Sequence, residues 1–304
     1  MGHRRIALRA ACLLAFALAA AGCSGSDGSA GGGALRVVAT TTQVADFARN
    51  VGGDRVQVTS LLKPGVDAHD YEPSPADIAT IADADLVLQN GVGLEEWLDD
   101  TISSSGFAGP VVDTSKGIRL RQVEGGDDPH IWQDPGNAQR MAATIEEALA
   151  SAAPADAASF QANLAAYTDR LQALDAEVAR QIDSLANKRV VTNHDAFGYY
   201  LDRYGLVLVG SVIGSFDTSA ELSGRELRDL VAKVRATGVK AIFSETTLPP
   251  KAAETLGREV GVKVVVGEDA LYGDALGPPG SDGDTYLKMV RHNTATIVDN
   301  LSGT

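Results

Sequence analysis

Short apolar runs alternate with helix-like or turn-rich stretches from residue 35 onward. The runs 35–39, 56–62, 84–89 and 110–112 form one set, with the helix-like Pro75-Ala-Asp-Ile-Ala-Thr-Ile-Ala between two of them. A second set starts at Arg189 with Arg-Val-Val-Thr-Asn and continues through 206–211, 239–244 and 262–266, with a helical stretch over 225–236. Strands alternating with helices predict mostly parallel α/β sheets, and the pattern occurs once in each half of the chain. Between the halves lies the clearest periodicity. Phe160, Leu164, Tyr167, Leu171, Leu174, Val178, Ile182 and Leu185 recur by threes and fours. That spacing draws one apolar stripe along a single helix, and about 28 residues at roughly 1.5 Å each make a rod of roughly 40 Å. A coiled-coil dimer would use the same stripe, but the heptads stop after about four and α/β patterning resumes at once. A stiff spine packed across both halves is the better account. The predicted fold class is α/β, two lobes with parallel-type sheets joined by one long spine helix.

The residues before 35 read differently. His3, Arg4, Arg5 and Arg9 precede an acid-free apolar run over 10–21 that ends at Gly22-Cys23. The run is well short of the roughly 20 apolar residues that span a bilayer, so it reads as a secretory signal. After Cys23 comes Ser-Gly-Ser-Asp-Gly-Ser-Ala-Gly-Gly-Gly, a flexible tether with nothing to pack. A small-residue box ending in cysteine before such a tether resembles a bacterial lipoprotein signal, which implies that Cys23 becomes the lipidated first residue. Ala20 stands where such signals usually carry leucine. Cys12 leaves with the leader, so the mature chain is expected to hold neither a disulfide nor a thiolate metal site. The expected boundaries are a signal peptide over 1–22, a lipid-tethered linker over 23–34, an N-terminal lobe over 35–155, a connecting helix over 156–187 and a C-terminal lobe over 188–304.

At 304 residues and 44% hydrophobic content the chain can bury a sizeable core. Loss of Arg4, Arg5 and Arg9 with the leader moves the formal charge from −14 to −17. Such a surface repels nucleic acid and anionic lipid, so membrane contact is expected through the lipid and not through the protein face.

Histidine is scarce, and three of the five lie in polar, turn-rich segments: His69 in Asp-Ala-His-Asp-Tyr-Glu-Pro-Ser-Pro, His130 in Asp-Pro-His-Ile-Trp-Gln-Asp-Pro, and His194 in Asn-His-Asp-Ala-Phe-Gly-Tyr-Tyr. His69 follows a strand running into a turn, and Ser74 and Pro75 beyond it suit a helix N-cap and first turn. Pro129 and Pro135 stiffen the loop of His130. His194 repeats the strand-end placement in the second half, and ligands of open α/β sheets gather beyond the carboxyl ends of strands. Taken singly, each is equally well a solvated loop histidine or a capping one. Together they can converge on one ion, since neutral imidazole is a common transition-metal ligand. His3 leaves with the leader, and His292 falls in a C-terminal helical pattern where a surface or hydrogen-bonding role is expected. Three imidazoles alone leave an open tetrahedral position, the arrangement of catalytic zinc, so the function turns on the fourth ligand. Asp67, Asp70, Asp134, Asp195, Glu245, Asp269 and Asp274 are the candidates, and spacing does not choose among them.

The three histidine motifs, with the tail Leu-Tyr-Gly-Asp-Ala-Leu-Gly and Gly-Asp-Thr-Tyr-Leu-Lys-Met-Val-Arg-His-Asn, resemble the zinc/manganese-binding lipoproteins of bacterial ABC importers, the metal-specific class of substrate-binding proteins. The resemblance runs in order from about Arg36 to Leu301. It implies one ligand from each motif, His69, His130, His194 and Asp274, and two α/β lobes joined by a long helix with the metal between them. It also implies a carrier outside the cytoplasm, held to the membrane by lipid on Cys23, acting as a monomer and passing its ion to a membrane permease. A single long helix resists wide hinge bending, so a modest lobe or loop rearrangement is expected. Ala68 replaces a proline common before the first histidine, and the acidic loop over 121–128 lacks the histidine-rich insert of many zinc-specific members. Three nitrogen ligands and one carboxylate favour Zn2+, with Mn2+ as the alternative, since manganese prefers oxygen-rich shells.

Two other readings compete. An exported zinc hydrolase needs an open site and a general base, a role for which Glu245 is available. The sequence contains no His-Glu-x-x-His, Gly-x-Ser-x-Gly or phosphate-binding glycine loop. Glu245 is read instead as a strand-end residue supporting the ligands from behind. A surface adhesin is the third reading, and no residue specifies a host partner.

Overall fold

In this computed structural model the described residues are 33–302, apart from 124–125, 216 and 219–222. The expected leader, Cys23 and most of the tether lie outside them. The apolar runs of the first half become four parallel strands, β1 (Leu35–Ala39), β2 (Val56–Ser60), β3 (Leu86–Gln89) and β4 (Val111–Asp113), ordered β2-β1-β3-β4. β1 sits centrally, with Leu35 opposite Val56 on one side and Val37 opposite Leu86 on the other. Its Val37, Val38 and Ala39 are buried, as a parallel strand covered on both faces requires. The helices are α1 (Thr42–Gly52), α2 (Pro75–Ala82) and α3 (Leu98–Ser105). Ser74 caps α2 with Pro75 in its first turn, as the sequence predicts, and Asp77 completes a capping box. A two-residue antiparallel pair, β5 (Gln122–Val123) and β6 (Gly126–Asp127), precedes the loop of His130. Asp134 then caps α4 (Pro135–Ala152) by accepting from the Gly136 N–H.

The spine is α5 (Ala157–Asp183), 27 residues and so roughly 40 Å long. Phe160, Tyr167, Leu171, Leu174, Val178 and Ile182 bury its stripe. Leu164 is only partly covered, and Leu185 packs from beyond the helix end. In the second half β7 (Arg189–Thr192), β8 (Val207–Ser211), β9 (Ala241–Phe243) and β10 (Lys263–Val265) are ordered β10-β9-β7-β8. Counted within each half, both sheets place their strands second, first, third, fourth. Helices α6 (Gly198–Tyr204), α7 (Gly224–Thr237), α8 (Lys251–Val260) and α9 (Tyr286–Ser302) complete the chain. The spine packs against α1 and α4 of the first half and α6 and α9 of the second. One apolar core therefore runs through both sheets and the spine.

Some strands are shorter than the apolar runs that announce them. β2 stops at Ser60, and Leu61 and Leu62 stay buried while the chain turns toward His69. Helices α1, α3 and α8 have no counterpart in the expected elements, although α1 and α8 are amphipathic. α1 buries Thr42, Gln43 and Asp46 beside its apolar residues. Among the described residues no helix is long and apolar enough to cross a membrane.

Candidate metal centre

His69 lies on the long loop after β2, His194 two residues beyond β7, His130 at the turn before α4, and Asp274 on the segment after β10. One donor atom from each lies within 4.8 Å of the others. Nε2 of His69 and Nε2 of His130 are 3.1 Å apart. Nε2 of His130 is 3.4 Å from Asp274 Oδ1, and Nε2 of His194 is 3.4 Å from Asp274 Oδ2. Two ligand atoms each about 2.05 Å from one tetrahedral ion stand roughly 3.3 Å apart, so these spacings suit a shared cation. His130, His194 and Asp274 are fully buried, while His69 keeps partial exposure. Both Asp274 oxygens and Nε2 of His194 are buried without a hydrogen bond. Buried polar atoms are rarely left so, and a metal ion would satisfy all three.

Two of the three rings have a carboxylate behind them. Asp128 Oδ1 accepts from the His130 backbone N–H at 3.0 Å and sits 2.8 Å from its Nδ1. Glu245 Oε1 accepts from the His194 backbone N–H at 2.9 Å, and Oε2 lies 2.8 Å from Nδ1 of that ring. A carboxylate at Nδ1 fixes the proton there and leaves Nε2 as the free donor atom. Both Glu245 oxygens thus face His194, Oε1 as a hydrogen-bond acceptor from its N–H and Oε2 as a close charge contact beside Nδ1. At His69 the support is lighter, since Asp67 Oδ1 reaches only the backbone N–H, at 2.9 Å.

The Asp274 segment is clamped from both halves. Asn293 of α9 grips Tyr272 twice, accepting from its N–H and donating to its carbonyl, each at 2.9 Å. Trp132 Nε1 and Gln133 Nε2, from the first half, both donate to the Gly273 carbonyl at 3.1 Å. A Cβ on Gly273 would collide with Glu245, so only glycine passes there. Arg121 ties the halves together beside the centre. Its Nη1 donates to Asp128 Oδ2 at 3.0 Å and stands 3.8 Å from Asp195, and its Nε donates to Asp202 of α6 at 3.2 Å. The Tyr199 hydroxyl accepts from the Arg121 N–H at 2.8 Å and donates to the Asp128 carbonyl at 3.0 Å.

Charge balance follows from this packing. Burial alone would lower His130, but its bonds to Asp128 and Asp274 outweigh that and push it up to about 9. For His194, burial is likewise overcome by the charges of Glu245 and Asp274, and the ring is raised well above its ordinary value. Burial would raise Asp274, but the neighbouring rings hold it well below the usual carboxylate range. His69 has no carboxylate at Nδ1, and burial brings it down to about 4. Without a metal, protons on the two buried rings balance Asp274, and a metal must displace them.

The other carboxylates weighed as fourth ligands lie elsewhere. Asp70 and Asp269 are exposed, Asp134 caps α4 and pairs with Arg203 at 3.1 Å, and Asp195 faces Arg121. His292 stands on α9 with its Nε2 3.0 Å from the Ala270 carbonyl and its ring edge-on to Tyr272. Asp128, Arg121 and Asn293 were not foreseen. The repeated Asp-x-His of Asp67/His69 and Asp128/His130 was the available signal for Asp128. Arg121 and Asn293 act across distances that no local pattern records.

The family model described as zinc-uptake complex component A, periplasmic (ZnuA) matches residues 37–300. The chain is 32% identical to the manganese-binding lipoprotein MntA of Halalkalibacterium halodurans over 95% of this chain and 97% of that one. It is 35% identical to the zinc-binding protein TroA of Treponema pallidum, over 90% of this chain and 91% of that one. The solved structure of the periplasmic zinc binding protein TroA from Treponema pallidum superposes with a TM-score of 0.82 at 33% identity, covering 88% of this chain and 99% of the other. With its two parallel sheets on one long helix and this match over nearly the whole described chain, the protein belongs to the ZnuA family of periplasmic zinc-uptake components.

Proposed function

We propose that this chain captures a divalent transition metal outside the cytoplasmic membrane and delivers it to the permease of an ABC importer. His69, His130, His194 and Asp274 act as its ligands, with Asp128 and Glu245 orienting two of the rings. The observation that carries the reading is the convergence of these four donor groups, from separate loops of both halves, within 4.8 Å of one another. Relatives are named for zinc and for manganese alike. Three imidazole nitrogens and one carboxylate favour zinc as the cargo. Four protein ligands close a tetrahedral shell and leave no position for an activated water, so the ion is carried and not used for catalysis.

The leader over 1–22, lipidation of Cys23 and the linker over 23–34 supply the anchor, and the acidic protein works as a monomer between membrane and permease. The spine helix joins a lobe over 35–155 to a lobe over 188–304, and because it packs against elements of both, release proceeds by a modest shift of lobe or loop. Wide lobe closure between metal-free and loaded crystals would contradict that last point. Elemental analysis of protein purified without chelator, followed by zinc and manganese competition, tests the main reading. One zinc per chain, displacing manganese, is expected. Absence of any bound transition metal, or undiminished affinity in His194→Ala, would overturn it.

A further inference from the structure

A cleft of about 650 Å3 opens on the seam between the halves, away from the four metal-facing groups. In a chain of net charge −14 its wall carries Arg119, Arg140 and Arg203 against a single carboxylate, Asp134. Asp134 is already committed, accepting from the Gly136 N–H at 2.6 Å and pairing with Arg203, which also holds Asp175. Arg119 and Arg140 are exposed and have no ion-pair or hydrogen-bond partner among the described residues. Asn137 is the second, independent sign. It is nine-tenths buried, it lines this cleft and the adjoining one, and its side-chain amide makes no hydrogen bond among the described residues. Its amide keeps a solvent-open edge in the cleft shared with the two uncommitted guanidinium groups, so its donors are available to a ligand there.

The donor inventory fixes the ligand class. Guanidinium offers only N–H donors in a planar fork that matches carboxylate or phosphate oxygens, and the amide adds two more donors. Asn137 stands in the first turn of the 18-residue α4, whose N-terminal dipole also favours negative charge. The volume falls inside the roughly 300–1,000 Å3 of small-molecule sites. We propose that this cleft binds a small anion bearing carboxylate or phosphoryl oxygens, gripped by Arg119 and Arg140 with Asn137 donating from its floor. None of these three residues touches the four metal-facing groups, so anion binding is separable from metal capture.

The test is calorimetry on the zinc-loaded full chain at low salt, titrated separately with succinate and with inorganic phosphate. Saturable binding at one site per chain, with Kd of about 1 mM or tighter, is expected for at least one of them. A response to succinate alone assigns organic acids, and a response to phosphate alone assigns phosphoryl ligands. The double change Arg119→Gln with Arg140→Gln, both at exposed positions, should weaken binding at least tenfold while zinc affinity stays as it was. Absence of saturable binding by either anion would overturn the proposal. So would equal binding in wild type and double variant, which marks an adventitious ion only.

Discussion

His69 reaches the centre nine residues beyond the end of β2, on a loop that leaves it partly exposed; His194 reaches it two residues beyond β7 and is fully buried. The strand order is the same in both halves, so topology does not explain the contrast. The glutamates after the equivalent third strands do. Glu245, after β9, binds His194 directly at both its backbone and its ring. Glu95, after β3, is buried too, but it accepts from Thr40, Asn90 and Gly91, and only Asn90 passes the contact on, to the Pro129 carbonyl at 3.0 Å. One half therefore presents a ring already locked for an ion. The other presents, beside the Asp128-backed His130, a histidine with no carboxylate behind its ring, the group freest to swing aside when an ion enters or leaves.

This difference is sharpest in its pH dependence. His130 is raised to about 9 and His194 well above its ordinary value, so below pH 9 a metal must displace a proton from each. His69, at about 4, is neutral through that range and releases none. Affinity should therefore rise by up to about 100-fold per pH unit between pH 6 and 8, two protons' worth, as a metal titration at several pH values would read. A slope of three would mean that His69 titrates with the others; a flat profile would remove the protonated pair altogether. For the metal-free protein the sign is reversed. Raised histidines contribute stability that is full below about pH 6.5 and lost as pH climbs through 9, so the melting-temperature gap between loaded and free protein should narrow toward acid.

Substitution probes the same contrast at smaller amplitude. His194→Ala leaves Glu245 and Asp274 as buried carboxylates without the ring between them, and should cost zinc affinity more than the roughly 10–100-fold typical of losing an outer partner. His69→Ala should cost less than His194→Ala, because water can fill a partly exposed position, and it should speed zinc release to a chelator in stopped flow. Equal losses at both positions would erase the distinction between the halves. One step further out, Glu245→Gln should fall within that 10–100-fold range, whereas Asp67→Asn, which meets His69 only at its backbone N–H, should change affinity little.

Much of the architecture could be read before any coordinates because its signals are local. Short apolar runs mark strands covered on both faces, and a 3.6-residue period marks the buried face of a helix, so the strands and the spine stripe are visible. His69, His130 and His194 stood out because histidine is scarce and the motifs sit in loops. Asp274 was one acid among seven until resemblance singled it out, since any carboxylate can ligate and only the tertiary path decides which arrives. Arg121, Asp128 and Asn293 were harder still. Each works through a partner supplied by another part of the fold, and an arginine or asparagine in a polar segment looks the same whether it clamps two loops or faces water.

Arg121 gives a small effect on affinity and the most direct test of how the halves are coupled. Its guanidinium joins Asp128, behind His130, to Asp195, next to His194, and to Asp202 on α6. Asp128 is fully buried and keeps its bonds to the His130 backbone and ring, so Arg121→Gln removes the charge-assisted bonds to Asp128 and Asp202 without stranding the buried carboxylate. The expected loss is about 2 kcal/mol of stability, or roughly 5 °C in the melting temperature of the metal-free protein. Zinc affinity should fall less than tenfold, because all four metal-facing groups and the carboxylates behind His130 and His194 remain in place. If affinity drops as far as in Glu245→Gln while the melting temperature hardly moves, Arg121 sets ring orientation directly. A melting loss alone assigns it to holding the two loops side by side, with each ring still fixed by its own carboxylate.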